Sequence, residues 1–172
     1  MKILGTRLSK PEIWGFPDLV QIFNSDTGDM EIYNCPRFGT NPNPVGPTGG
    51  PNAGQPWYEF EGQLAAGSYK YECWLSPKHG KCLKLNDLGP VATTRPNPAD
   101  GGQLIARAVE IHCGFRPDIP GHLGWRGSLC CQTVDPPDYP AFISHFDIGD
   151  TGIYQLVDNT AQNTVDAAMG VA

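Results

Sequence analysis

Residues 67–85 read GSYKYECWLSPKHGKCLKL, and this stretch contains two short runs in which apolar and polar side chains alternate. In the first run Tyr69, Tyr71 and Cys73 alternate with charged residues, and the second run covers residues 81–85. A period of two residues is typical of a β-strand with one buried face. Residues 77–80 have the composition of a turn. The stretch therefore predicts two antiparallel strands of a β-meander.

Further short runs before and after this pair extend the β prediction along the chain. We expect strands at residues 19–24, 30–34, 57–61, 103–112, 128–134 and 153–157. The run 103–112 is apolar enough to be a buried strand that ends at His112, although a helix over 103–109 is an open alternative. Asp138 is placed to cap a short helix over residues 139–146, with Pro140 in its first turn.

Gly and Pro shape the rest of the chain. The 172 residues include 21 Gly and 17 Pro, which oppose long helices because Gly costs backbone entropy and Pro removes a donor. Residues 38–56 and 87–102 read as loops. The predicted fold is mostly β: a mixed sheet or sandwich with one or two short helices and long Gly/Pro loops. The length fits one hydrophobic core, so we expect a single domain over residues 1–172.

Charge and hydropathy exclude several classes of partner. The net charge is −6 and the Lys and Arg residues are scattered, which argues against a nucleic-acid partner. No apolar stretch approaches the roughly 18 residues of a membrane span, so membrane insertion is not expected. Charges interrupt the apolar residues at the N-terminus, so we expect no signal peptide and synthesis in the cytoplasm with reduced thiols. Cys73 and Cys82 could still pair across the hairpin.

His112 and Cys131 are the residues that best fit cysteine-based catalysis. Each lies where a predicted strand meets a Gly-rich loop, so neighbouring strands would bring both side chains to one cleft. A nearby imidazole supplies the base that a cysteine nucleophile needs and, once protonated, lowers the thiol pKa. Backbone N–H groups around Cys130 and Cys131 could stabilise an oxyanion. His79 reads as a solvated loop residue, and His145 as a packing or dipole-complementing residue near the helix end.

The sequence around this pair resembles the L,D-transpeptidase (YkuD-like) family. Residues 111–114, Ile-His-Cys-Gly, and residues 127–131, Gly-Ser-Leu-Cys-Cys, are similar to the family's His, mid-length gap and Ser/Thr-His-Gly-Cys. Ser128 and Cys131 follow His112 by 16 and 19 residues. Phage-type or effector-type members of the family have residues similar to Trp125, Gln132, Tyr139 and Phe142. The resemblance covers about residues 60–146, leaving an N-terminal hairpin and loop over 1–56 and a C-terminal extension over 147–172.

The resemblance implies a role for each matching residue. Cys131 would be the nucleophile, His112 the base, and Ser128 would order the loop. Gly114 would permit the turn after the base. Substrate binding would fall to Gly114, Arg116, Trp125 and Arg126, with an arginine holding a stem-peptide carboxylate. Cys130 stands where the family has glycine, and a positive φ there would strain a residue that carries a Cβ.

The resulting hypothesis is a cysteine-dependent hydrolase or L,D-transpeptidase-like acyl transferase that acts on peptidoglycan stem peptides without a metal or cofactor. The enzyme would reach the cell wall after release, or after delivery by a phage or a secretion system. The alternative is a structural component of a virion or similar assembly, with the same fold but no activity and with other virion or secretion-apparatus proteins as partners. A third possibility is that His112, Cys113, Cys130 and Cys131 bind zinc.

Overall fold

The computed structural model describes residues 1–8, 18–24, 27–35, 63–96, 102–114 and 130–159. These residues form ten strands, one α-helix and a single 3-10 turn at Asn86–Leu88. The strands and helix, in chain order, are β1 (Lys2–Arg7), β2 (Asp18–Phe23), β3 (Met30–Cys35), β4 (Gly67–Ser76), β5 (Gly80–Leu85), β6 (Val91–Pro96), β7 (Gln103–Ala106), β8 (Glu110–Cys113), β9 (Gln132–Val134), α1 (Tyr139–Ser144) and β10 (Thr151–Asp158).

Eight of the strands form one mixed sheet in the order β3-β2-β1-β10-β4-β5-β8-β9. The pairs β1/β10 and β8/β9 are parallel, and the other neighbours are antiparallel. Residues of the two end strands, β3 and β9, approach within 8 Å between Cα atoms, so the sheet is nearly closed. Strands β6 and β7 form a separate pair. The prediction of a mostly β fold with a mixed sheet is confirmed.

The core lies on the inner face of this curved sheet, and the alternation of side chains determines which residues reach it. One row of register partners runs from Ile22 through Ile3 and Tyr154 to Tyr69, and all four side chains are buried. The rings of Tyr69 and Tyr154 lie 6.4 Å apart between centroids. Large aromatic side chains thus fill the interior between the strands.

Helix α1 packs against the aromatic residues of the core. The Phe142 ring meets Tyr33 of β3 edge-on at 5.7 Å, and Phe146, just after the helix, meets Tyr71 of β4 at 5.6 Å. The Tyr139 hydroxyl donates to the Lys81 carbonyl of β5 at 2.6 Å. The short helix therefore contacts strands from both halves of the sheet. Residue 138 is its N-cap as predicted, but the side chain makes no capping hydrogen bond.

The structure corrects the prediction of one strand over residues 103–112. Strands β7 and β8 belong to different sheets, with the chain breaking between them at residues 107–109. Ala108 has a left-handed φ of 55°, and nothing in its apolar surroundings in the sequence indicates this break. Strand β6 lies within the predicted loop 87–102, and β1 had no counterpart among the predicted strands.

The structure also corrects the possible disulfide. Cys73 lies opposite Leu83 and Cys82 lies opposite Trp74, so the two thiols point to opposite faces of the β4/β5 pair. Neither cysteine is in a disulfide. The predicted loop at 38–56, the predicted strand at 57–61 and residues 160–172 of the C-terminal extension lie outside the described residues.

Candidate functional site

Strands β8 and β9 bring His112 and Cys131 to one face of the sheet. The two strands are parallel neighbours, with His112 opposite Thr133. Cys131 directly precedes β9, and its Sγ accepts a hydrogen bond from the backbone N–H of Glu110 at 3.4 Å. Because side chains two residues apart on a strand share a face, Cys131 and His112 are diagonal neighbours on that face.

The ring of His112 is held in one tautomer. Its Nδ1 lies 2.7 Å from the Cys113 carbonyl oxygen, which can only accept, so Nδ1 carries the hydrogen and Nε2 keeps its lone pair. Among the described residues Nε2 has no hydrogen-bond partner, although it is buried. Burial, followed by the nearby His79, lowers the pKa of His112 to about 4. The ring is therefore neutral at physiological pH, the form in which an imidazole acts as a general base.

His79 covers the ring of His112. It lies in the β4–β5 turn, and the two imidazoles stack with centroids 3.8 Å apart and planes inclined by 13°. The interpretation of His79 as a solvated loop residue is wrong, since its side chain is 14% exposed. No signal in the sequence indicates this contact, because the turn folds over a strand more than thirty residues later.

Glu110 connects the elements around this stack. Its side chain is buried, with 6% of the residue exposed. One carboxylate oxygen accepts a hydrogen bond from Trp74 Nε1 at 3.0 Å, and the other lies 3.7 Å from His79 Nε2. Burial, followed by this carboxylate, raises the pKa of the Cys82 thiol to about 12. The Cys82 thiol is thus protonated at neutral pH.

The chain enters β9 through a turn that a buried glutamine anchors. Gln132 Nε2 donates to the Cys130 carbonyl at 3.1 Å, and Gln132 Oε1 accepts from the Tyr154 hydroxyl at 3.1 Å. Cys130 is buried and has a φ of 103°, in the region that favours glycine. The Cys131 thiol, half-buried, also donates to the Ala108 carbonyl at a sulfur-to-oxygen distance of 3.8 Å. The turn therefore fixes the orientation of the Cys131 side chain toward β8.

The structure describes only some of the other predicted site residues. The Gly114 N–H donates to the Val134 carbonyl at 2.8 Å, so Gly114 continues the β8/β9 ladder. Outside the described residues lie Ser128, Arg116, Trp125 and Arg126. His145, near the end of α1, binds the Tyr33 hydroxyl and the Glu31 carboxylate through Nε2 at 2.7 and 3.2 Å.

Two further findings concern the whole described part of the chain. Within it, no group of three or more His, Cys, Asp and Glu side chains could hold a metal ion, and this includes the four residues considered for zinc. None of the helices in the described ranges has the length and apolar character to span a membrane.

An open groove of about 640 Å³ lies over β4 and β10, away from His112 and Cys131. It is lined by Lys70, Tyr71, Glu72, Asn86, Asp87, Thr151, Gly152 and Ile153. Its charged side chains already neutralise one another in part, because Lys84 binds both Glu72 and Asp87, at 3.1 and 2.7 Å. The lining residues include neither histidine nor cysteine.

Comparison of the chain with family models, with curated proteins and with solved structures gave no match. The candidate site therefore stands on its own geometry. Sequence patterns indicated His112 and Cys131, whereas they missed His79, Glu110 and Trp74. The three missed residues are brought together by strand pairing between distant segments.

Proposed function

We propose that the chain is a cysteine-dependent acyl-transfer enzyme of the L,D-transpeptidase type, which cleaves or exchanges an amide bond in peptidoglycan stem peptides. The observation that carries this proposal is the hydrogen bond from His112 Nδ1 to the Cys113 carbonyl. It leaves the Nε2 lone pair as the proton acceptor, on the sheet face that Cys131 shares. In this proposal the enzyme acts at the cell wall after release, or after delivery by a phage or a secretion system.

In the proposed mechanism His112 Nε2 accepts the Cys131 thiol proton as Sγ forms a bond to the carbonyl carbon of the substrate. The C–N bond then breaks, and the His112 imidazolium gives its proton to the leaving amine. A thioester remains on Cys131. Water or a second amine attacks the carbonyl carbon of the thioester, and His112 takes the proton of the attacking group. The C–S bond then breaks, the acyl product leaves, and that proton goes to Sγ.

Two sets of backbone donors support these steps. The Glu110 N–H, which already donates to Sγ, would stabilise the sulfur as it becomes negatively charged. The N–H groups of Cys130 and Cys131 would stabilise the oxyanion of the tetrahedral intermediate. Because His112 is neutral at rest, the proposal is general-base catalysis rather than a preformed ion pair between thiolate and imidazolium.

The test is to trap the thioester. The purified chain is incubated with a synthetic stem tetrapeptide, quenched in acid and analysed by intact mass and peptide mapping. We expect an acyl adduct on Cys131 that Cys131→Ser abolishes, while His112→Ala slows its formation about 100-fold or more. The control is Cys73→Ala, a buried thiol on the opposite face of β4 that should leave the adduct in place. An adduct that is absent, or indifferent to His112, contradicts the proposal.

A second candidate function is a structural component of a virion or similar assembly. It is favoured by a row of register partners on the outer face of the sheet, Ile153, Lys2, Phe23 and Met30, in which the three apolar side chains are exposed. Exposed apolar side chains that adjoin across several strands are typical of an interaction surface. This candidate predicts no acyl adduct under any condition, together with self-association that Phe23→Ser weakens in analytical ultracentrifugation.

A further inference from the structure

His79 stacks on the ring of His112, the proposed base, and its position bears on the proposed reaction. We propose that His79, which lies beside the Glu110 carboxylate, is a positioning residue that stacks on His112 and keeps its Nε2 directed to the face of Cys131. The inference rests on the proposed function, since it assigns His79 a role in that same site.

The backbone of the β4–β5 turn fixes the place of His79. The Ser76 hydroxyl oxygen accepts hydrogen bonds from the backbone N–H groups of Lys78 and His79, each at 3.3 Å. Gly80 closes the turn with a φ of 71°. The turn therefore places the His79 backbone beside β8, and the His79 ring lies parallel to the His112 ring.

The Glu110 carboxylate lies beside the His79 ring, with one oxygen 3.7 Å from Nε2. Trp74 Nε1 holds one carboxylate oxygen, which leaves the second oxygen facing His79 Nε2. The backbone of the same residue donates to Cys131 Sγ. Glu110 thus contacts both the ring that covers His112 and the thiol that His112 would deprotonate.

Stacking has a specific consequence for His112. The Nδ1 hydrogen bond limits rotation of the His112 ring about its Cβ–Cγ bond, and a parallel ring at 3.8 Å adds a steric limit on the same rotation. The stacked ring also keeps water from Nε2 and favours the neutral form. A protonated His79 would oppose proton transfer to His112, because two positive charges would then lie against each other.

Charged and titratable groups approach His112 from each neighbouring element. His79 and Lys78 belong to the turn, Glu110 to β8, Cys82 to β5, and Cys131 precedes β9. Burial lowers the pKa of His79, while Glu110 partly opposes this shift. Both imidazoles are therefore neutral at neutral pH, which is the combination that the positioning role requires.

The experiment uses the full chain with 15N-labelled histidine, in the wild type and in the variants His79→Phe and His79→Ala. Nitrogen chemical shifts report the tautomer and the pKa of His112, and thioester formation is measured on the same samples. Phenylalanine keeps a flat ring over His112, so we expect the Nδ1–H tautomer and the low pKa to persist. Alanine removes the ring, so we expect mixed tautomers, a pKa that moves toward 6.5, and thioester formation slowed about 10–100-fold.

A further variant, Glu110→Gln, tests the role of the Glu110 carboxylate separately from that of the His79 ring. Glu110→Gln keeps an acceptor for Trp74 but loses the charge that faces His79, so we expect a smaller tautomer change than in His79→Ala. Circular dichroism and thermal unfolding establish that each variant is folded. An unchanged His112 tautomer and pKa in folded His79→Ala would overturn the inference. A changed tautomer in a chain whose wild type forms no thioester would support the contact and overturn the proposed function instead.

Discussion

Cys130 combines two features that act in opposite directions. Its φ of 103° lies in the left-handed region, where a residue with a Cβ is strained by about 1–2 kcal/mol. Its side chain is only 1% exposed and belongs to the hydrophobic core. Burial of the side chain therefore offsets the backbone strain, and the position of Cys130, next to Cys131, depends on both effects.

These opposing effects predict an unusual order of stability between two variants. Cys130→Ala removes buried volume but keeps the strain, so it should lower the free energy of unfolding by about 1–2 kcal/mol. Cys130→Gly removes the Cβ as well but relieves the strain, so it should be at least as stable as Cys130→Ala in urea unfolding. The same pair of changes at Cys113, in regular strand β8, should show the ordinary order, with glycine less stable by about 0.5–1 kcal/mol.

Sequence patterns could predict only part of the candidate site. His112 and Cys131 stand out because a histidine and a cysteine, the residue types of a base and a nucleophile, occur at a spacing that resembles a family motif. The stack of His79 on His112 could not be predicted, because it depends on the pairing of β5 with β8. The group that orients the His112 ring is the backbone carbonyl of Cys113, which no choice of residue type reveals.

Among the elements, α1 has a larger structural role than its six residues suggest. An isolated helix of this length is not stable in water, so its stability must come from packing. Phe142 is fully buried and lies against Tyr33, Tyr139 and Phe146, with ring centroids 5.6 to 6.0 Å apart. The helix is therefore held mainly by its aromatic contacts with the sheet.

Truncation of this side chain should show how strongly the helix is held. We expect Phe142→Ala to lower the free energy of unfolding by about 3–5 kcal/mol, because it leaves a cavity among three aromatic rings. Ser144→Ala, on the exposed side of the same helix, should change it by less than about 0.5 kcal/mol. Guanidinium unfolding of both variants tests the difference. Similar losses in the two variants would show that α1 is not anchored through Phe142.

The elements that the sequence predicts well are those with local signals. Strands β4 and β5 follow the alternation at residues 67–85, with bounds shifted by one residue. The run 103–112 contains no such signal at its break, because Ala108 is an apolar residue in a left-handed conformation. Membership in one sheet or another is decided by long-range pairing, which short runs do not encode.

The whole molecule should lose stability in acid partly through His112. Its pKa in the folded chain is about 4, below the ordinary 6.5, so between these values the unfolded chain binds a proton that the folded chain does not. Stability therefore rises as the pH rises from 4 to 6.5, and is lost as the pH falls through this window. The full contribution is about 3 kcal/mol. Urea unfolding at a series of pH values measures it.

The matched comparison is His112→Gln, which cannot take up a proton in this range. Carboxylates and His79 contribute to the acid sensitivity of both chains, so the difference between the two curves isolates His112. That difference should shrink by about 3 kcal/mol as the pH falls from 6.5 to 4. Parallel curves would show that the His112 ring is protonated in the folded chain as readily as in the unfolded one.

The place of β10 has a consequence for the order in which the protein can assemble. It lies between β1 and β4, and in the described sheet it alone hydrogen-bonds the strands of residues 2–35 to those of residues 67–134. Contacts between segments so far apart in the chain slow folding. During synthesis, β1 and β4 each present an open strand edge until residues 151–158 leave the ribosome. The nascent chain is therefore most exposed to aggregation just before its last described strand is made.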